Sequence, residues 1–304
     1  MGEVLQIFAD TLKDLAVTSG FASLNWQSCV MILISFVFMY LAIAKKFEPL
    51  LLLPIAFGML LTNLPLTAMY TPDLYADPTN IDFGKILHEG GLLDILYLGV
   101  KLQIFPPLIF LGIGAMTDFG PLISNPKTLI IGCAAQLGVF AAFFGAYSSG
   151  FFTLLEAAAI GIIGGADGPT AILTAKTLAP QLLSAIAIAA YIYMALIPMI
   201  QPPVMRLLTT KKERGIKMKA PRKVSKLEKV LFPIVVMFVV CLIVPDAAPL
   251  IGCLMFGNIL NVCGVTERLS KTVQNELMNI VTIFLGITVG ATATADTFLS
   301  WQTI

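Results

Sequence analysis

The sequence of 304 residues contains few charged side chains. Charged residues make up 12% of the chain and apolar residues 58%, whereas soluble domains carry about 25% charged and about 45–50% apolar residues. This balance excludes an ordinary soluble domain, a disordered chain and a nucleic-acid-binding protein. It predicts an all-α integral membrane protein that crosses the lipid bilayer several times.

Histidines and paired cysteines are also scarce. His88 is the single histidine, and the five cysteines lie within apolar stretches without a Cys-x-x-Cys pair. A zinc site needs about four converging nitrogen or sulfur ligands, so the sequence predicts neither a zinc site nor a redox motif. The N-terminal residues lack the basic segment and apolar core of a signal peptide. The glycine-rich runs lack the Lys-Ser/Thr pair of a phosphate-binding loop.

Long apolar segments are abundant, and a helix needs about 20 such residues to cross a bilayer. We predict an interfacial amphipathic helix within residues 1–27, from Val4 to Val17, ahead of the first span. The uninterrupted candidate spans are residues 28–44, 49–65, 128–148, 181–204, 230–245 and 249–264. Three further apolar segments are broken by glycine, proline, threonine or a charge, namely 92–116, 152–179 and 272–298.

Basic residues indicate which loops face the cytoplasm. Ten of the 19 Lys and Arg residues lie between Arg206 and Lys229, which predicts a cytoplasmic linker at 205–229. The linker either attracts anionic lipid headgroups or docks an acidic soluble partner. The acidic loop 66–91 then falls on the outer side.

The same charges constrain the broken segments. Alternating spans place residue 149 outside, and 181–204 supplies the one crossing that remains before the cytoplasmic linker. Segment 152–179 is therefore predicted to be a re-entrant hairpin that enters from the outer face, with its tip at Gly164–Thr170. The alternative is that segment 92–116 forms the hairpin.

Two motifs occur twice, which predicts an internal repeat. Phe57–Asn63 resembles Phe256–Asn261, and Ile109–Ile113 matches Ile283–Ile287. The charge rule gives the two copies opposite orientations, as in the inverted-repeat bundles of many secondary transporters. We predict a first copy at 28–204 and a partial second copy at 230–304, truncated because no counterpart of the 152–179 hairpin follows it.

Asp167 is the strongest candidate for chemistry. A charge at membrane depth costs ~2.5–3.5 kcal/mol and usually serves a function. The surrounding glycines and proline break the helix and free backbone carbonyls, which suit Na⁺ or H⁺. The predicted ion ligands are Asp167, Gly165 and Thr170, and the residues that shape the site are Gly164, Gly168 and Pro169. Alternatively, Asp167 only caps the second half-helix, and the two roles are compatible.

Each of the other polar side chains within apolar segments has two alternative roles. Tyr191, Tyr193 and Gln201 lie in span 181–204, and Lys101 lies in broken segment 92–116. A phenol there relays a proton or orients a carboxylate, or else it packs at the interface. Lys101 is a proton carrier or ion-pair partner, or its ammonium extends to the interface. We expect structural roles for Glu156 and Lys176 near the hairpin mouth, and for Asp118 and Asp296 as helix caps in the two copies.

Several long stretches resemble one family. Ala157–Ile172 is similar to the signature of the β subunit of biotin-dependent, sodium-pumping decarboxylases. The same resemblance extends to Leu41–Leu52, Gly112–Pro121, Tyr191–Pro198 with Gln201–Pro203, and Asn279–Gly286. The similarity runs from about residue 28 to the end of the sequence.

The resemblance implies an activity, a location and partners. Such a subunit takes carboxybiotin from a biotin carboxyl carrier protein, releases CO₂, consumes a proton and exports Na⁺ across the prokaryotic inner membrane. The family's essential aspartate maps to Asp167 and its functional tyrosine to Tyr193. The implied partners are the carrier protein, a carboxyltransferase α subunit, a small single-span membrane subunit and further copies of the chain. Asparagine and serine groups that the family uses further along fall beyond Ile304.

Two rival functions fit parts of the pattern. A Na⁺/H⁺ antiporter or a Na⁺-coupled organic-anion transporter, without a decarboxylase partner, would also combine inverted repeats with a midplane aspartate. A structural membrane anchor would not need an intramembrane charge such as Asp167. The acid that the complex decarboxylates stays open among oxaloacetate, methylmalonyl-CoA, glutaconyl-CoA and malonate, although the short loop 66–91 is closer to the acyl-CoA enzymes.

Overall fold

The computed structural model describes residues 11, 13–14, 17–75, 81–217 and 222–299, and these contain helices and no strand. The prediction of an all-α protein is therefore confirmed, whereas most of the predicted Val4–Val17 helix lies outside the described residues. The helices are α1 (Trp26–Ala44), α2 (Pro49–Asn63), α3 (Phe83–Glu89), α4 (Leu92–Lys101), α5 (Phe105–Met116), α6 (Gly120–Ser124), α7 (Leu129–Ala135), α8 (Leu137–Ser148), α9 (Leu154–Gly161), α10 (Gly168–Leu178), α11 (Leu183–Leu208), α12 (Lys211–Arg214), α13 (Lys226–Ile243), α14 (Ala248–Val262), α15 (Glu267–Thr272), α16 (Met278–Ala291) and α17 (Ala295–Phe298). Short 3₁₀ turns connect several of them, and a π-helical turn at Val273–Leu277 joins α15 to α16.

Several of these helices can cross a membrane. Three stretches in the described part of the chain are long and apolar enough: Trp26–Ala44, Pro126–Ser148 and Glu267–Ala291. The pair α4 and α5 would add a fourth crossing if it forms one bent span. The protein is therefore a multi-pass membrane protein, as its composition predicts.

The break in segment 92–116 lies where the sequence places it. Helices α4 and α5 meet at an angle of 66°. Gln103 lies between them with φ of 59°, a left-handed conformation that interrupts the helix. Pro106 and Pro107 follow in the first turn of α5, where the missing backbone N–H leaves no intrahelical bond unmade.

The chain divides into two compact units, and the first comprises residues 1–98 with 286–304. In this unit α2 and α16 cross with their backbones in contact. A Cβ atom added to Gly58 would lie 2.0 Å from the carbonyl oxygen of Ile287, and one added to Gly290 would lie 2.0 Å from that of Ile55. Only glycine fits at such an approach, so these residues fix where the helices cross.

The second unit, residues 99–285, contains a crossing of the same kind between α5 and α14. A Cβ atom on Gly257 would lie 2.0 Å from the carbonyl oxygen of Leu111, and one on Gly114 would lie 1.8 Å from that of Leu254. The buried amide of Asn258 donates to the carbonyl of Gly114 at 3.2 Å. Each unit thus combines a Phe-Gly helix with an Ile-Phe-Leu-Gly helix from the other half of the sequence.

The glycines that the repeated motifs align are not the ones that make the backbone contacts in the two helix crossings. Aligning the motif Ile109–Ile113 with Ile283–Ile287 makes Gly112 equivalent to Gly286. In the two crossings, the glycines in equivalent places are Gly114 in one and Gly290 in the other. Gly112 faces a side chain instead, because a Cβ atom on it would lie 2.7 Å from the sulfur of Met278. The glycines that occupy equivalent places in the two crossings therefore belong to the two Gly-Ala pairs. This alignment differs by two residues from the alignment of the motifs.

A buried aspartate holds the 71–91 loop against α4. Asp94 is fully buried in the first turn of this helix. Its carboxylate accepts the backbone N–H of Thr71 at 3.1 Å and that of Gly91 at 2.9 Å. The Tyr75 hydroxyl donates to the backbone carbonyl of Asp94 at 2.6 Å. Both ends of the 71–91 loop are therefore held by one side chain.

Replacing Asp94 by asparagine should destabilise this loop. The amide nitrogen of asparagine cannot accept the N–H bonds that the carboxylate accepts, and a buried unsatisfied donor costs about 1–3 kcal/mol. We expect a lower melting temperature in detergent and faster proteolysis within residues 66–91. Asp82→Asn is the control: Asp82 caps α3 through the N–H of Lys85, lies exposed, and asparagine caps equally well. Equal melting of both variants would contradict this role of Asp94.

Candidate functional site

The predicted hairpin tip is a break between two helices. Helix α9 begins with a capping box in which Thr153 and Glu156 each bond the other's backbone N–H. It continues as a 3₁₀ turn over Ile162–Gly165, and Ala166 then adopts a left-handed conformation with φ of 54°. Asp167 is the N-cap residue of α10, and Gly168 and Pro169 lie buried in its first turn. The break therefore runs from Ile162 to Asp167 and overlaps the predicted tip at Gly164–Thr170, whose last three residues lie in the first turn of α10.

Asp167 lies half-buried and holds Thr170 with both carboxylate oxygens. Oδ1 accepts the backbone N–H of Thr170 at 3.3 Å, and Oδ2 accepts its hydroxyl at 2.6 Å. The capping role weighed from the sequence is therefore real. Each carboxylate oxygen can accept more than one bond, so the cap leaves capacity for a cation.

Close backbone contact holds the break against α8. A Cβ atom on Gly164 would lie 2.3 Å from the carbonyl oxygen of Gly138, and one on Gly138 would lie 2.6 Å from the carbonyl oxygen of Gly164. A Cβ atom on Gly165 would lie 3.5 Å from the amide oxygen of Gln136. Gln136 thus adds a neutral oxygen beside the tip, which the sequence interpretation missed. Its signal was a lone amide within the otherwise apolar span 128–148.

Two further contacts hold the two ends of segment 152–179, which supports the structural roles expected for Glu156 and Lys176. Glu156 is buried, and its Oε1 accepts the side-chain amide of Gln181 at 2.9 Å. Lys176 donates from Nζ to the backbone carbonyl of Lys101 at the end of α4. Lys101 is only 9% exposed, so its side chain lies within the protein at this second break.

The tyrosine and glutamine candidates line a cavity along α11. Tyr193 is 40% exposed and lines a cavity of about 330 Å³ together with Gln201 and the aliphatic residues Ile197, Ile200, Val204 and Met205. The lining found in the described residues does not include Asp167 or Thr170. The side chain of Tyr191 lies outside the described part of the structure. Tyr193 and Gln201 therefore line one cavity, and Asp167 and Thr170 contact each other at the helix break.

The donors at the tip are all oxygen atoms. The described residues hold no group of three or more histidine, cysteine, aspartate or glutamate side chains that could bind a metal ion, and the five cysteines are free. One carboxylate with hydroxyl, amide and carbonyl oxygens suits a hard cation of low charge rather than zinc, iron or copper.

Comparison with known proteins places the chain in a family. Residues 27–304 match the family described as "Na+-transporting oxaloacetate decarboxylase beta subunit". The methylmalonyl-CoA decarboxylase subunit beta of Propionigenium modestum is 58% identical over 300 residues, which are 96% of this chain and 76% of that protein. The glutaconyl-CoA decarboxylase subunit beta of Acidaminococcus fermentans is 51% identical, over 99% of this chain and 75% of that protein. The oxaloacetate decarboxylase beta chain of Klebsiella pneumoniae is 48% identical, over 97% and 78% respectively.

These relatives share a subunit type and differ in the acid named. The match covers nearly the whole chain, and it agrees with the membrane helices and with the resemblance carried by Ala157–Ile172. The chain belongs to the family of Na⁺-transporting decarboxylase beta subunits.

Proposed function

We propose that this chain is the membrane subunit that couples decarboxylation of carboxybiotin to export of Na⁺, and that Asp167 binds the ion. The observation that carries the proposal is a half-buried carboxylate at a helix break, in a chain of a Na⁺-transporting decarboxylase family. Family membership favours this function over a secondary antiporter or an organic-anion transporter. The curated relatives name oxaloacetate, methylmalonyl-CoA and glutaconyl-CoA enzymes, so a partner subunit selects the acid.

The proposed Na⁺ ligands are the Asp167 carboxylate, the Thr170 hydroxyl and the backbone carbonyl of Gly165. The 2.6 Å bond between Asp167 and Thr170 supports the first two, because it keeps both oxygens together. Gln136 adds an amide oxygen near Gly165. Half-helix ends with unwound carbonyls bind Na⁺ in many secondary transporters.

The chemistry at carboxybiotin requires one proton. When its N–CO₂ bond breaks, CO₂ leaves, the electron pair returns to the ring nitrogen, and that nitrogen takes up a proton. We propose that the Tyr193 hydroxyl delivers this proton from the cavity that it shares with Gln201. Protonation of Asp167 would weaken Na⁺ binding, because a neutral carboxyl attracts a cation less than a carboxylate. We propose that the proton that restores the Tyr193 phenolate enters from the outer side by way of Asp167, so that its passage displaces Na⁺ and couples proton uptake to Na⁺ release.

Contacts of the linker support the topology in which segment 152–179 is re-entrant. Lys229 bonds Asp118 at 3.3 Å, and Arg222 reaches the carbonyl of Ile123 at 3.4 Å. The Gly120 N–H and Lys229 together hold the pKa of Asp118 below its usual value. The linker end and the turn after α5 therefore lie on one face. A bend of 66° between α4 and α5 is also far from the reversal that a hairpin needs.

The two glycine crossings support the proposed inverted repeat. In each, one helix comes from the proposed first copy, 28–204, and the other from the partial second copy, 230–304. If two copies of opposite orientation each contribute one helix to each crossing, the two crossings should have matching contacts. The linker 205–229 then connects the copies at the cytoplasmic face.

Membership of a beta-subunit family implies partner subunits. We propose that these are a biotin carboxyl carrier protein, a carboxyltransferase α subunit, a small single-span membrane subunit and further copies of this chain. We also propose the prokaryotic inner membrane as its location. The basic linker offers a cytoplasmic surface for either anionic lipid or an acidic partner.

Decarboxylation by the purified complex tests this function. We expect CO₂ release from carboxybiotin to require Na⁺, with K⁺ and choline unable to replace it, and the chain to be retained on avidin resin through its biotinylated partner. A rate that is the same in all three salts would refute the proposal. Na⁺/H⁺ exchange in vesicles without carboxybiotin or carrier would favour the antiporter instead.

A further inference from the structure

The first unit contains a polar cavity whose described lining includes neither Asp167 nor Tyr193. Its volume is about 310 Å³, room for several water molecules at ~30 Å³ each. The polar side chains in its lining mostly offer neutral oxygen atoms, and they are Asn25, Ser28, Thr62, Asn63, Thr67, Tyr70, Thr294 and Asp296. Among the described lining residues there is one carboxylate and no basic side chain, so the cavity favours a cation.

Two side chains in its wall point to an occupant. The Thr62 hydroxyl is buried and has no hydrogen-bond partner in the described structure, and such a group usually marks a missing water or ion. Asn63 is 6% exposed and donates through Nδ2 to the carbonyls of Met59 and Ala293, both at 2.8 Å. These two bonds fix the amide and leave its oxygen as an acceptor.

Asp296 supplies the negative charge. It lies exposed in α17, just after the end of α16 at Ala291, and is not the N-cap of α17, which is Thr294. The cap expected for Asp296 from the sequence is therefore wrong, whereas Asp118 does bond the N–H of Gly120 at 2.9 Å. A carboxylate that is not used as a cap remains available to a cation in the cavity.

We propose that this cavity is a Na⁺ site on the outer face, through which the exported ion leaves; the inference rests on the Na⁺ export proposed above. The charge rule places Asn25, loop 66–91 and the end of α16 on the outer side. The set of one carboxylate with hydroxyl and amide oxygens suits a partly hydrated monovalent cation. Na⁺ held here would slow release from the Asp167 site when outer Na⁺ is high.

The test uses the complete decarboxylase complex in proteoliposomes, oriented with the linker face outward and with the lumen loaded with increasing Na⁺. Luminal Na⁺ should inhibit decarboxylation by the wild type. Asp296→Asn should raise the half-inhibitory luminal concentration about tenfold, equivalent to ~1.4 kcal/mol. Thr62→Val keeps the side-chain shape and should raise it about threefold. Asp118→Asn, the aspartate after the other Gly-Ala pair, should leave it unchanged.

Unchanged luminal inhibition in both Asp296→Asn and Thr62→Val would overturn the site, while normal Na⁺ dependence of the wild type would leave the proposed function intact. If Asp296→Asn fails to fold, Thr62→Val alone decides. Failure of the proposed function would appear differently, as a wild-type rate insensitive to Na⁺ on both faces. Equilibrium binding of radioactive Na⁺ to the detergent-solubilised complex then tests the cavity directly, and equal binding by wild type and Asp296→Asn refutes it.

Discussion

Asp167→Asn is expected to reduce Na⁺-stimulated decarboxylation at least about 100-fold, because removing the charged partner of a desolvated cation costs ~3–5 kcal/mol. The substitution separates the observed helix cap from the proposed ion ligand. Asparagine is as good an N-cap as aspartate, and its side-chain oxygen can still accept the N–H of Thr170, which Asp167 accepts at 3.3 Å. Helix α10 should therefore stay intact while the ion loses its carboxylate.

The measurement is CO₂ release from carboxybiotin by the purified complex over a range of Na⁺ concentrations, with the melting temperature recorded for each variant. Asp82→Asn is the matched control, because Asp82 also caps a helix through the N–H three residues on, at 3.0 Å. It lies exposed at the start of α3, so its loss should change the rate by less than about twofold. Retained Na⁺ stimulation in Asp167→Asn would remove Asp167 from the ion site.

Most of the local fold could be predicted from the sequence. Apolar runs of sufficient length predicted the helices, and the glycine, proline and charge interruptions predicted the breaks near Lys101 and Asp167, because a break needs only local residues. The N-cap role of Asp167 was among the alternatives weighed from the sequence, and its role as an ion ligand stays a prediction that rests on a charge inside an apolar segment.

Contacts between distant residues could not be predicted in the same way. Asp94 lies at the start of an apolar segment and resembles an ordinary cap, and its burial depends on Thr71, which lies 23 residues earlier. Gln136 gained its relevance only through the contact of Gly138 with Gly164. The placement of Tyr193 and Gln201 on one cavity likewise depends on how α11 packs. Periodicity indicates which face is apolar and does not indicate what covers it.

The register of the helix crossings shows the same limit. The strongest repeated motif aligns Gly112 with Gly286. The close backbone contacts, however, are made by Gly114 in one crossing and by Gly290 in the other. Sequence similarity measures common residues, whereas close approach requires a glycine opposite a carbonyl of the partner helix. Helix association in membranes depends on such small residues, because lipid is as apolar as the helix surface.

Gly257→Ala is therefore expected to destabilise the protein by roughly 1–3 kcal/mol or more, the usual cost of overpacking a core. The added Cβ atom would lie 2.0 Å from the carbonyl oxygen of Leu111 and 2.9 Å from the backbone nitrogen of Ala115. Neither atom belongs to a flexible side chain, so α5 and α14 must separate. The measurement is the melting temperature of the detergent-purified protein, with the yield of monodisperse material as a second readout.

Gly252→Ala in the same helix is the matched control, because no atom lies within 4 Å of the added Cβ. Alanine is favoured over glycine in a helix by roughly 0.5–1 kcal/mol, so this variant should melt at or above the wild-type temperature. Gly58→Ala should reproduce the loss seen for Gly257→Ala, since the Cβ atom would lie 2.0 Å from the carbonyl oxygen of Ile287. If Gly257→Ala and Gly252→Ala melted together, backbone contact would not be what holds α5 against α14. A loss at Gly257 without one at Gly58 would instead show that only the second unit depends on its crossing, and would weaken the case for two equivalent copies.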